Sequence, residues 1–377
     1  MIPYGKQDIT QEDIESVIET LKSDYLTQGP VVPLFEKNLC EYSGSKFAIA
    51  VNSCTSALHI ACLALDLKDG DLVWTSPISF VASANCALYC GAEVDFVDVD
   101  PDTALMSISS LKDKLKQAKK EDKLPKIVIP VHFAGQSCDM KEIFKLGRQY
   151  GFRIIEDAAH AIGGKYLNKN VGSCQYSDIA VYSFHPVKII TSGEGGAALT
   201  NSIKLSERMK LFRSHGITRD QKKMKHIANN DWYYEQISLG FNYRMTDIHA
   251  AIGISQLNRV DYYVEKRNEI AKWYDKRFTN SLVKPLRQNL NVKSSYHLYV
   301  VRVSNRDTLI SYLRKNDIAA NVHYIPIYRQ PYFNRKVRLP GAEEYYKSAI
   351  SLPIFPAIGK NDLTMIVNKI STICNHE

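Results

Sequence analysis

The 377-residue chain has no apolar run approaching the roughly 20 residues a membrane-spanning helix needs, so no membrane segment is expected. None of its eight cysteines (Cys40, Cys54, Cys62, Cys86, Cys90, Cys138, Cys174 and Cys374) forms a Cys-x-x-Cys pair. Most lie within apolar helical patterns and read as reduced, buried thiols of a cytosolic protein, not a disulfide frame. The start, Met1-Ile2-Pro3-Tyr4, lacks a basic stretch followed by an apolar run, so no signal peptide and a cytoplasmic location are expected. There is no zinc-finger or RNA-binding signature, no Walker sequence, no internal repeat and no low-complexity segment. His132, His160, His185 and His215 are not at ligand spacing, so no metal site is expected.

What is present is a hydrophobic content of 45% and a net charge of +8. The length accommodates one large domain and one smaller one. The positive residues make no single stripe; the densest run, Lys114 to Lys126, is interrupted by Glu121 and Asp122. Nucleic acid and a small anion such as a sugar nucleotide fit that charge equally well, and charge alone does not choose.

Ile14, Val17, Ile18 and Leu21 recur at helical spacing and predict an amphipathic helix over 11–22, with a second helix over 31–42 after Gly29-Pro30. Short apolar runs at 47–51, 72–75, 94–97, 127–131, 153–156, 179–184 and 197–200 read as strands. Helical patterns at 55–65, 79–89, 107–117, 140–150 and 203–213 lie between them. This alternation predicts an α/β fold with a mostly parallel seven-stranded sheet covered on both faces, and functional residues at the strands' carboxyl ends. Residues 215–240 are polar and aperiodic, and predict a long functional or disordered loop. A helix capped by Thr246 and a long polar helix to about Phe278 lead into a smaller α+β domain. Its strands are expected near 299–303 and 320–323, and its helices near 306–316, 341–350 and 361–374. The division is placed at 1–255 and 256–377.

Two residues carry the chemistry. Asp157 ends an apolar strand and precedes Ala158-Ala159, which leaves room before a carboxylate that must be paired or solvated. Lys188 has no acidic neighbour before Glu194; a lysine in apolar surroundings has a lowered pKa and can serve as nucleophile and then base. An amine, a nearby hydroxyl at Ser183 and a carboxylate suited to a pyridinium nitrogen point to pyridoxal phosphate. Ser53-Cys54-Thr55-Ser56 opens a helix and suits an anion, although it also reads as an ordinary cap. Phe80 can stack on a ring or fill the core, and His160 can face the cofactor's phenolic oxygen.

Taken in order, Thr55-Ser56-Ala57-Leu58, Glu156-Asp157-Ala158-Ala159-His160, Ser183-Phe184-His185-Pro186-Val187-Lys188, Gly193-Glu194-Gly195-Gly196 and Gly240-Phe241-Asn242-Tyr243-Arg244-Met245-Thr246-Asp247 closely resemble the DegT/DnrJ/EryC1 sugar aminotransferases. That resemblance implies a fold-type-I pyridoxal-5'-phosphate (PLP) transferase. Lys188 would carry the Schiff base and move protons, with pyridoxamine phosphate between the two half-reactions, while Asp157 pairs with the pyridinium. Thr55, Ser56 and Ser183 would bind phosphate, Phe80 would stack, and His160 would face the phenolic oxygen. Asn242 would reach the cofactor phosphate of a second subunit, implying a homodimer with shared sites.

Further segments, among them Phe212-Arg213-Ser214-His215-Gly216 and Val322-His323-Tyr324-Ile325-Pro326, resemble the members that serve pseudaminic-acid biosynthesis. They imply amination at C4 of a UDP-linked 2-acetamido-2,6-dideoxy-4-keto-hexose with L-glutamate as donor, and Tyr4, Leu26, Thr27, His323 and Tyr324 would touch that nucleotide sugar. Another nucleotide-linked 4-keto sugar, of bacillosamine or perosamine type, remains an alternative. So does a non-catalytic regulatory relative, against which Lys188, Asp157 and Ser183 stand together. In the dehydratases that share this fold a histidine replaces the lysine, so Lys188 argues against dehydration.

Overall fold

The computed structural model describes every residue except 227–229, 280, 334–335 and 375–377. Its centre is a sheet of β1 (Phe47–Val51), β2 (Leu72–Thr75), β3 (Glu93–Phe96), β4 (Ile127–Ile129), β5 (Arg153–Asp157), β6 (Ile179–Ser183) and β7 (Gly196–Thr200). The order is β1-β7-β6-β5-β4-β2-β3. Only β7 runs against its neighbours, β1 and β6; the other pairings are parallel. Because side chains alternate across a strand, the sheet feeds two cores. Ile49, Val51 and Val181 face one apolar cluster, while Ala48, Ala50 and Tyr182 face the other.

Helices α1 (Gln11–Leu21), α2 (Val31–Ser43), α3 (Cys54–Ala64), α4 (Ala82–Leu88), α5 (Ile108–Lys120), α6 (Met140–Tyr150), α7 (Ile203–Arg213) and α8 (Asp247–Leu257) accompany this sheet. Local chemistry starts several of them. The hydroxyls of Ser53, Ser107, Ser202 and Thr246 each accept a backbone N–H three residues on, which supplies one of the bonds a first helical turn lacks. The last part of the chain adds α9 (Val260–Phe278), α10 (Arg306–Lys315), α11 (Pro340–Ser348) and α12 (Lys360–Cys374). It also adds an antiparallel sheet of β8 (Lys284–Pro285), β9 (Tyr299–Arg302) and β10 (Ala349–Leu352). A third apolar cluster, including Ile270, Tyr274, Leu309, Ile350 and Ile366, lies among these elements.

The structure differs from the sequence reading in several places. No strand forms over 320–323; Asn321 makes a single bridge to Ser351. The helix expected to 350 stops at Ser348, because the fully buried run Ala349–Leu352 pairs with β9 instead. The helix expected over 79–89 begins only at Ala82. Within 215–240, Ile217–Thr218 and Glu235–Gln236 pair as a short ladder, and residues 227–229 of that segment lie outside the described ones.

Helix α1 forms as expected but turns its apolar stripe outward. Ile14, Ile18 and Leu21 are 45%, 42% and 54% exposed, while Asp13 and Thr20 are buried. Asp13 faces inward because Arg259 Nη2 lies 2.7 Å from its carboxylate and Gln256 Nε2 also donates to it at 2.7 Å. The ion pair and its added hydrogen bonds satisfy the carboxylate that this orientation buries.

Candidate active site

Strand β5 delivers Asp157 to the carboxyl edge of the sheet, where its side chain is buried. Ser83 Oγ, from α4, donates to one carboxylate oxygen at 2.6 Å, and the Ala159 N–H donates to the other at 3.2 Å. Among the described residues no lysine, arginine or histidine forms an ion pair with Asp157. A carboxylate buried without a cation of its own calls for a cationic N–H partner.

Lys188 sits in the loop between β6 and β7, half-buried, in a turn closed by its own N–H donating to the His185 carbonyl at 2.9 Å. Desolvation lowers its pKa to about 8, against the opposing pull of Cys54 and Asp157. An amine so placed exchanges protons readily near neutral pH and is partly nucleophilic.

The start of α3 meets the same edge. Ser183 pairs in register with Gly196, which in turn pairs with Val51, so the ends of β6 and β1 flank the start of β7. A side chain at Gly196 would put its Cβ 2.5 Å from the Cys54 nitrogen, so only glycine admits the N-terminus of α3 here. Thr55, Ser56 and Ser183 thus occupy one corner, beside a helix N-terminus that attracts anions. Ser56 Oγ donates to Asn52 Oδ1 at 2.7 Å, whereas the Thr55 hydroxyl makes no hydrogen bond among the described residues.

A buried ring cluster closes another side. The Ala134 N–H donates to His160 Nδ1 at 3.2 Å, which assigns the proton of the neutral ring to Nε2, 3.2 Å from the Tyr324 hydroxyl. Burial and nearby Lys188 hold His160 neutral, well below the ordinary histidine range. His297 packs against it at a tilt of 54° with ring centroids 4.3 Å apart, and burial depresses that ring's pKa too. Phe80 leaves 60% of its surface exposed, with its ring 6.3 Å from Tyr324. Tyr4 lies 5.2 Å from His323, whose Nδ1 is 2.8 Å from Ser351 Oγ.

The structure therefore brings together Lys188, Asp157, His160, Tyr324 and Phe80, with His323 and Tyr4 adjoining. Leu26 and Thr27 lie apart from these contacts, exposed beside the start of α8, where the Leu26 carbonyl accepts from the Asp247 N–H. Asn242 is exposed, and its carbonyl accepts from Asn52, the residue that also holds Ser56. Sequence reasoning assigns Ser83 and His297 no role at the site, because their partners lie 74 and more than a hundred residues away.

These residues fit pyridoxal phosphate: a softened amine, a buried acid without a cation, an anion corner and an exposed aromatic face. Fold and site define a PLP-dependent aminotransferase of fold type I. The DegT/DnrJ/EryC1/StrS aminotransferase family model matches residues 7–371, and the chain belongs to that family. The UDP-4-amino-4,6-dideoxy-N-acetyl-beta-L-altrosamine transaminase of Campylobacter jejuni (strain 81-176) is 37% identical over 99% of this chain and 97% of its own. Helicobacter pylori PseC, described as an aminotransferase involved in the biosynthesis of pseudoaminic acid, superposes with a TM-score of 0.90 at 33% identity over all of both chains. The PLP form of a putative sugar aminotransferase, Spr1654 from Streptococcus pneumoniae, superposes with a TM-score of 0.88 at 28% identity over 100% of this chain and 99% of its own.

Proposed function

We propose that this enzyme transfers the amino group of L-glutamate to C4 of a UDP-linked 2-acetamido-2,6-dideoxy-4-keto-hexose. The observation that carries the reading is the placement of Lys188, softened to about 8, at the same sheet edge as buried Asp157, in a chain alike end to end to transaminases named for a UDP-4-amino sugar. Residues 1–255 would form the cofactor-holding domain and 256–377 the smaller one.

Bound pyridoxal phosphate supplies an electron sink and carries the amino group between the two substrates. The protein's own residues do the rest. Lys188 Nζ anchors the cofactor and, once released, removes a proton from the donor's α-carbon; it later returns one to the sugar's C4. Such transfers by a positioned group are worth roughly two to four powers of ten in rate. Asp157 holds the ring nitrogen's proton by charge. His160 donates its Nε2 proton to the Tyr324 hydroxyl and so faces the phenolic side through it, with the hydroxyl's own proton left to donate there. Thr55, Ser56 and Ser183 hold phosphate with the N–H groups that open α3. Phe80 covers one face of the ring, while Tyr4, Leu26, Thr27, His323 and Tyr324 receive the nucleotide sugar.

A second copy of the chain completes the assembly on this reading, and Asn242 reaches its cofactor phosphate. The outward stripe of α1, continued by exposed Tyr25, Leu26 and Leu34, supports this, since apolar surface gathered in one stretch marks an interface. The test is incubation of the PLP-loaded enzyme with glutamate and a panel of UDP-linked 4-keto sugars, read by product mass. The reading expects amination of the 2-acetamido-2,6-dideoxy substrate. No product from any UDP sugar, or full activity in Lys188→Ala, would end it.

A further inference from the structure

We infer that Ser83, backed by Ser79, is a positioning residue that aims the Asp157 carboxylate at the cofactor's ring nitrogen. The inference deepens the reading above and rests on Asp157 facing that nitrogen. Ser79 Oγ lies 2.6 Å from Ser83 Oγ, and Ser83 Oγ lies 2.6 Å from Asp157 Oδ2. All three side chains are buried, with exposures of 4%, 1% and 4%.

The direction of this relay follows from counting protons. A carboxylate only accepts, so the single Ser83 proton goes to Asp157. Ser83 must then accept from Ser79, which makes Ser79 the donor. With the Ala159 N–H on Oδ1, each carboxylate oxygen has one fixed donor, and the plane of the carboxylate is set from both sides. An acid held this way cannot swing when ring or substrate moves, and each fixed donor compensates part of its burial.

The local chain explains why these serines sit there. Ser79 lies in the bend before α4 and Ser83 in the helix's first turn, and the bend brings their hydroxyls to 2.6 Å. Phe80 lies between them on the same turn and projects outward. One short segment thus offers an aromatic face on one side and fixes the acid on the other.

The experiment titrates cofactor-free wild type, Ser83→Ala, Ser83→Thr and Ser79→Ala with pyridoxal 5'-phosphate. It reads the dissociation constant and the pH at which the visible band changes. Ser83→Ala is expected to bind about tenfold more weakly, the value of one charge-assisted hydrogen bond, and to move the band's titration by about one pH unit. Ser83→Thr, which keeps the hydroxyl, should restore both to within about threefold, and Ser79→Ala should fall between. A merely structural role would not move the titration. Ser83→Ala indistinguishable from wild type, or Ser83→Thr as impaired as Ser83→Ala, would overturn the inference while leaving the aminotransferase reading intact. Wild type that develops no band at all would overturn both.

Discussion

Replacing Lys188 by methionine should stabilise the cofactor-free protein at neutral pH. The amine titrates at about 8 in the fold, against 10.5 for an ordinary lysine. At pH 7 it is protonated in both folded and unfolded chains, so folding must carry a charge that its surroundings disfavour. At roughly 1.4 kcal/mol per pH unit the depression corresponds to about 3 kcal/mol. Because the side chain is only half-buried and its loop can relax, a gain of about 1–3 kcal/mol is expected. The sign with pH is fixed. Below the folded value of about 8 the cost is present in full. Between about 8 and 10.5 the folded chain has released its proton and the unfolded chain has not, so the cost fades. Above that range both are neutral, and only the packing difference remains. Urea unfolding of both proteins near pH 7, 9 and 10.5 measures the gap directly. A variant no more stable than wild type at pH 7, or a gap unchanged across the series, would refute the argument that burial destabilises this amine.

Other outcomes follow from the same geometry. Asp157→Asn keeps the shape but removes the charge, and should slow the glutamate half-reaction by roughly two to three powers of ten, followed by stopped-flow absorbance. Leu21→Glu places a charge in the outward stripe of α1, 54% exposed in the single chain. It should shift light-scattering mass from dimer to monomer with little change in the far-ultraviolet spectrum, and an unchanged mass would argue against an interface there. Tyr324→Phe removes the hydroxyl 3.2 Å from His160 Nε2 and should weaken PLP binding by about three- to tenfold, measured by fluorescence titration.

Much of the architecture is legible in the residues. The apolar runs 47–51 and 72–75 are strands to the residue, and 140–150 and 203–213 are helices to the residue. In these stretches local period, capping groups and burial all agree. Failures come where a distant partner decides. Ala349 and Ile350 continue a helical pattern, yet β9 offers the run Ala349–Leu352 an open edge, and pairing wins over local preference. The stripe of α1 is visible as a period, but period does not say which way it faces; in the fold Asp13, paired with Arg259, is the side that faces inward. At the site, Lys188 and Asp157 stand out because a lysine and an acid are conspicuous in apolar company. Ser83 is one small polar residue in a helix, and nothing nearby in the chain announces the carboxylate it serves.

The single reversed strand has a consequence for how far the reactive amine can travel. In an all-parallel arrangement, the segment leaving Ser183 would cross the layer and return at the opposite rim. Here β7 starts where β6 ends, so residues 184–195 leave and rejoin one rim. The amine rides on a short bight moored at both feet, with Phe184 bonded to Gly195 across its neck. Its excursions are those of a side chain, not of a swinging lid, and lengthening the bight by even a few residues would loosen the nucleophile without touching any group that grips the ring.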